Sequence, residues 1–282
     1  MPASSTHVPA LPAMGVDILL RALFKRPQHP LPDSLPELAS SYRLDGLPLD
    51  DIARYRAAFG FEGQHVPLTW WYLLAQRAHL ATMLAPGFPF RIVGLVHMDN
   101  ALRVFQEPAP GQPLLIDTVL RLLPPSSSGA LRCMLDTTGY SDGVPVFGCT
   151  STYLIRRGSR SSAKQEESVL PQGAPLTQWT LGVGAGRRYA QLSGDWNPIH
   201  LTRWSARLMG MRAPIIHGMH TLASACAALE RSAGRHALAI DCRFRAPVAL
   251  GSTAALSFDA VSGEFVVAAA GKPAVTGSVT LA

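Results

Sequence analysis

An aspartate and a histidine five positions apart, Asp195 and His200, stand in the string Ser193-Gly194-Asp195-Trp196-Asn197-Pro198-Ile199-His200. An imidazole titrates near neutral pH, and a neighbouring carboxylate fixes its tautomer and stabilises its charged form, so the pair can do general acid–base work. Ser193-Gly194 stops a helix-forming run from Arg187 to Leu192, and Pro198 keeps the residues around it out of regular structure. Both side chains therefore sit on a constrained loop. Taken alone, such spacing is more often a capping or hydrogen-bonded surface pair.

The next segment adds a second kind of chemistry. Pro214-Ile215-Ile216-His217-Gly218-Met219 opens a run to Leu229 that is apolar on nearly every face, interrupted by His220, Thr221 and Ser224. Such a helix belongs in a protein interior. Its first turn carries backbone N–H groups without intrahelical acceptors, and a glycine there lets a ligand oxygen approach closely. A developing enolate oxygen of a thioester would be stabilised at that point.

Together, Ser193-Gly194-Asp195-x-Asn197-Pro198-Ile199-His200 and Ile216-His217-Gly218-Met219 resemble the hydratase-2 motif of MaoC-like, (R)-specific enoyl-thioester hydratases and dehydratases. A third block, Arg243-Phe244-Arg245-Ala246-Pro247-Val248-Ala249-Leu250-Gly251-Ser252, resembles that family's strand, proline bend and glycine turn after the helix. The resemblance covers about residues 177 to 282. It implies an α+β, hot-dog architecture in which a long helix is wrapped by a curved antiparallel sheet. It also implies reversible hydration of trans-2-enoyl thioesters, or dehydration of (3R)-hydroxyacyl thioesters, carried by coenzyme A or acyl carrier protein in fatty acid metabolism, with no cofactor.

Carried over by position, Asp195 and His200 activate water and return a proton, and the Gly218 N–H holds the enolate oxygen. Asn197 braces the loop or bonds the pair, Pro198 fixes its turn, and His217 holds the helix start. Cys226 aligns with a serine that in some relatives helps orient the catalytic groups; a thiol is a weaker donor, and a small buried hydrophobe is the plainer reading. Thr202 replaces an acidic or amide residue frequent in the family and suits a cap on Arg203-Trp204-Ser205. Arg203, Arg207 and Arg212, between loop and helix, are candidates for the phosphates of the pantetheine arm. Asp195, His200, His217 and His220 are also metal-ligand types, but their spacing across a helix start, without a second carboxylate, argues against a metal.

These residues need a scaffold, and the chain is long enough for two domains of ordinary size at 282 residues. A proline-led, largely apolar helix at Val66 to Pro86 is followed by strands at Gly94 to Phe105, Leu114 to Leu122, Ala130 to Tyr140 and Val144 to Arg156. The C-terminal half repeats the order: a helix to Leu229, then strands at Ala237 to Phe244, Ala254 to Ala260, Glu264 to Ala270 and Ala274 to Leu281. The pattern predicts a double hot-dog, with a non-catalytic unit and its N-terminal arm at 1–157, a polar linker at 158–175 and a catalytic unit at 176–282. In the first unit Trp70-Trp71 stand where the second has His217-Gly218, so a single active site is expected, with Trp70, Trp71 and Tyr72 as core and His79 and His97 as structural or solvated. Met1 to Pro12 reads as loose, Gly15 to Phe24 as either strand or helix, Arg26 to Pro36 as a linker arm, and Asp50 to Phe59 as a short helix that Asp50 could cap.

Composition narrows the partners. Basic residues exceed acidic ones by six at a pI near 9.5, which favours anionic partners such as coenzyme A, yet no nucleic-acid motif accompanies them. Cys133, Cys149, Cys226 and Cys242 have neither metal spacing nor secreted-scaffold density and read as reduced core thiols. No signal peptide or membrane span is evident, which points to a cytoplasmic protein. A fused pair of units suffices as a monomer and leaves room for a homodimer of such chains. A hot-dog thioesterase and a non-catalytic acyl-thioester-binding protein are the alternatives.

Overall fold

The computed structural model describes residues 8–28, 37–127, 129–155 and 173–282, so most of the expected linker at 158–175 and of the arm at 26–36 falls outside them. The first described residues lie against the body. Arg77 donates to the carbonyls of Leu11 and Pro12, and Leu11 is buried, which corrects the expectation of a loose start for residues 9–12. Helix α1 (Val16–Phe24) resolves the open choice in favour of helix, because Ile18 and Ala22, four apart, pack together against Leu80. Leu19 is partly buried beside them, whereas Val16, Leu20, Leu23 and Phe24 remain exposed.

Strand β1 (Leu38–Leu44) precedes α2 (Leu49–Phe59), whose N-cap is Pro48; Asp50 lies in the first turn and does not cap it. A 3-10 turn at Leu68–Trp70 leads into α3 (Trp71–Leu84), followed by β2 (Val96–Val104), β3 (Leu114–Leu123), β4 (Leu131–Ser141) and β5 (Val144–Ile155). Then come β6 (Thr177–Thr180), α4 (Ala185–Ser193), a 3-10 turn at Pro198–His200, α5 (Arg203–Leu208) and α6 (Gly218–Ala233). The chain ends with β7 (Ala237–Phe244), β8 (Thr253–Phe258), β9 (Glu264–Ala269) and β10 (Lys272–Leu281).

All ten strands form one antiparallel sheet in the order β1-β3-β4-β5-β2-β7-β10-β9-β8-β6. N-terminal strands make one half of it and C-terminal strands the other. They meet at β2 and β7, paired from Asp99↔Arg243 to Arg103↔Ala239 and flanked by the ion pairs Arg103–Asp241 and Arg243–Asp99, each at 3.2 Å. Helix α3 packs on β1, β3 and β5, and α6 on β7 and β10. This is the double hot-dog arrangement the sequence pattern implies.

Both long helices are buried because apolar residues surround them. Trp71 is fully buried and stacks on Phe147 at 5.0 Å, while α6 presents the small Ala223, Ala225, Cys226 and Ala227, which let its backbone approach the core closely. Glu230, near the end of α6, is buried but satisfied: it takes His65 Nε2 at 3.1 Å and the Ala237 N–H at 3.0 Å. That contact ties the segment before α3 to the helix of the other half. All four cysteines are buried and free of disulfides. Among the described residues, no helix is long and apolar enough to cross a membrane.

Candidate active site

The loop after α4 is built from successive short-range caps. Ser193 Oγ–H donates to the Tyr189 carbonyl at 2.9 Å, and Gly194 ends the helix in the left-handed region at φ 73°, which a glycine takes without strain. Asp195 Oδ1 accepts the Asn197 N–H at 3.1 Å, and Asn197 Oδ1 accepts the Ile199 N–H at 3.3 Å, capping the 3-10 turn that Pro198 begins. Thr202 and Ser205 form a reciprocal capping box for α5, and Ser205 Oγ–H reaches back to the Pro198 carbonyl at 2.7 Å. Little of this loop is free to move independently.

From the far side the loop is held by α4 and α6. A Cβ on Gly186 of α4 would stand 1.9 Å from the His200 carbonyl oxygen, so only glycine allows that approach. His200 Nδ1–H donates to the Ile215 carbonyl at 2.8 Å, which fixes the tautomer and leaves Nε2 as the proton acceptor. His217, the N-cap residue of α6, donates from Nε2 to the Asp195 carbonyl at 2.9 Å and lies 3.9 Å from Asp195 Oδ2. The His200 and His217 rings stack with centroids 3.6 Å apart.

Burial sets the protonation of this group. It pushes His200 down to about 4, helped by His217 beside it and opposed by the Asp195 charge, and it lowers His217 as well. Both imidazoles are therefore neutral near neutral pH. Asp195 is part-exposed and supplies the negative end of the cluster. Donor atoms of Asp195, His200 and His217 all lie within 4.8 Å of one another, a set that also suits a divalent metal. The fold thus assembles three of the four donors whose sequence spacing had argued against a metal; His220 turns instead toward Phe59 and Tyr189.

Gly218 begins α6 and is exposed to the cavity, so its N–H is one of the first-turn donors left without an intrahelical acceptor. A Cβ here would meet the Phe244 ring at 2.8 Å. Asp195, His200, His217 and Gly218 share a cavity of about 750 Å³. Its opposite wall comes from the N-terminal half: Tyr72, Gln76 and His79 of α3, His97 of β2, Tyr153 of β5, and α1.

Several expectations change with this geometry. Trp70 and Trp71 occupy the helix-start positions matching His217 and Gly218 and are core, but Tyr72, His79 and His97 line the cavity. Cys226 lies outside the cavity lining, with Sγ 3.9 Å from Glu230 Oε1; Thr221 is the α6 hydroxyl on the cavity wall. Arg203 and Arg207 are exposed on α5 outside the cavity lining, where the arginine present is Arg245. Gly186 and the Ile215 carbonyl carried no signal of their own in the sequence, since each acts through a partner far along the chain.

Comparison with known proteins shows what the chain is similar to. Residues 165–278 match the family described as the MaoC like domain. The 3-hydroxyacyl-thioester dehydratase X of Mycobacterium tuberculosis is 29% identical over 250 residues, covering 86% of this chain and 88% of that protein. The crystal structure of HtdX from Mycobacterium tuberculosis superposes with a TM-score of 0.69 at 25% identity, over 85% of this chain and 98% of that one. The peroxisomal enoyl-CoA hydratase 2 of Arabidopsis thaliana is 28% identical over 160 residues, 51% of this chain and 52% of the plant protein.

Proposed function

From the premise that this chain is a double hot-dog whose C-terminal half is a MaoC-like domain, we propose that it is a hydro-lyase of fatty acid metabolism, adding water to trans-2-enoyl thioesters and removing it from 3-hydroxyacyl thioesters. The observation that carries this reading is His200: its Nδ1 is committed to the Ile215 carbonyl, its Nε2 is a neutral base, and Asp195 and the Gly218 N–H face the same cavity.

The reaction can be derived from those positions. The thioester oxygen accepts from the Gly218 N–H at the positive end of α6, which withdraws electron density from the double bond. A water held between Asp195 and His200 adds its oxygen to C3 and gives a proton to that pair. The resulting enolate takes a proton from the pair at C2, so one water is added across the double bond and both side chains return to their starting state. Dehydration runs the same steps backwards. His217 positions Asp195 through its carbonyl, and the caps from Asn197 and Pro198 hold the loop. Coenzyme A or an acyl carrier protein is the carrier, and Arg245 on the cavity wall, with Arg203 and Arg207 exposed on α5, supplies positive charge for its phosphates.

The test is the ultraviolet loss of the enoyl-thioester band with crotonyl-CoA and longer trans-2-enoyl-CoA substrates. Wild type is expected to hydrate them, and folded Asp195→Asn and His200→Ala to lose about a hundredfold or more in kcat. Variants that retain wild-type rates would remove the pair from the mechanism.

A further inference from the structure

The N-terminal wall of the cavity is not built as a simple alkyl tunnel. His97 stacks with two tyrosine rings, Tyr72 at 5.5 Å and Tyr153 at 4.6 Å, and its ring lies 4.9 Å from Phe244, the same phenyl ring that covers Gly218. One aromatic ring therefore separates His97 from the oxyanion position. The hydroxyls of Tyr72 and Tyr153 meet each other at 3.2 Å, and His79 Nε2 is joined to Thr137 Oγ1 at 3.0 Å. Two nitrogens in this wall, His97 Nε2 and His79 Nδ1, are buried and have no partner among the described residues.

A local irregularity puts His97 there. The β2–β5 register slips between His97 and Asp99. Asn100 and Leu102 face inward at 2% and 0% exposure, so unbroken alternation would turn Met98 inward with them and His97 outward. The bulge reverses that choice and aims an imidazole into the cavity. An unpaired buried polar atom is costly, so an apolar side chain here would serve a purely alkyl occupant better.

The tautomer defines what is missing. Burial holds the His97 imidazole neutral, with a single N–H, and the Asp99 backbone acts against that lowering, as a carbonyl accepting from the ring N–H does. Nε2 then carries a lone pair and requires a donor. A carbonyl or ether oxygen on the acyl chain supplies none; a hydroxyl does, and it can accept in turn from the wall's tyrosines.

Building on the thioester hydro-lyase reading, we propose that His97, flanked by Tyr72, Tyr153 and His79, is a specificity subsite for an acyl chain bearing a hydroxyl group beyond the reacting carbons, whose O–H donates to His97 Nε2. The substrate class is thus hydroxylated acyl thioesters, in preference to plain alkyl ones of the same length. The upstream reaction must then be one that leaves or installs a hydroxyl on the chain.

Binding of saturated ligands tests this apart from turnover. Octanoyl-CoA is compared by calorimetry with its hydroxyoctanoyl-CoA isomers, from mid-chain to the terminal carbon, on wild type, His97→Phe and His97→Gln, with circular dichroism confirming each fold. At least one isomer is expected to bind wild type about tenfold more tightly than octanoyl-CoA, the worth of one good hydrogen bond. The preference should vanish in His97→Phe and persist in part in His97→Gln, which keeps an acceptor. Equal or weaker binding of every isomer to wild type overturns the subsite, as does a preference undiminished in His97→Phe, or no binding of any of these ligands. A binding preference without enoyl hydration would instead overturn the hydro-lyase reading and leave the subsite standing.

Discussion

Gly186 sets the position of His200, the proposed base. Its absent side chain is the space that the His200 carbonyl occupies, and a methyl there would overlap that oxygen at 1.9 Å. Gly186→Ala should raise the intrinsic helix propensity of α4 by roughly 1 kcal/mol yet displace His200. We expect kcat to fall about tenfold to a hundredfold, with KM less affected and the far-ultraviolet spectrum unaltered. An alanine variant with unchanged kcat would show that the loop slides without cost. The Asp195–His200 motif was legible because both residues and their turn signals lie within one short string. Gly186 and His97 were not, since the one matters for a carbonyl on another element and the other for a slipped register.

At the scale of elements, the long helices and most strands were readable from apolar runs and Pro/Gly breaks. The two outermost strands, β1 and β6, gave no such signal: Leu38–Leu44 mixes small and polar residues, and Thr177–Thr180 is only four residues long. Edge strands need little apolar surface, so hydrophobic patterning has little to report. The start of α3 is joined to the end of α6 by His65 and Glu230, a contact whose partners are far apart in sequence. Hydrogen bonding to Glu230 raises the His65 pKa above its ordinary 6.5 despite partial burial. Its stabilisation is therefore fully present below the ordinary value and is lost as pH rises through the folded value. Melting temperatures of wild type and His65→Gln should differ most in mildly acidic buffer and converge in mildly alkaline buffer. A gap independent of pH would mean that the pair contributes packing alone.

The molecule as a whole carries an acid sensitivity of opposite sign. Burial pushes His79, His97 and His220 down to about 3 and His200 to about 4. Each is kept neutral in the fold but takes up a proton when the chain unfolds, so each stabilises above the ordinary histidine value of 6.5, and that stability is lost as pH falls toward the folded values. His220→Leu, which removes one such group from between Phe59 and Tyr189, should shift the acid-unfolding midpoint to lower pH in a fluorescence titration. An unmoved midpoint would show that His220 takes no part in the acid lability. The seam between β2 and β7 has a different kind of consequence. Two separate copies meeting about a twofold axis must accept each contact residue twice, so any change on one side is imposed on the other. Covalent fusion removes that constraint. Asp99 and Arg103 can answer Arg243 and Asp241 without being their duplicates, and one half is free to diverge in what it admits while the other conserves the reaction.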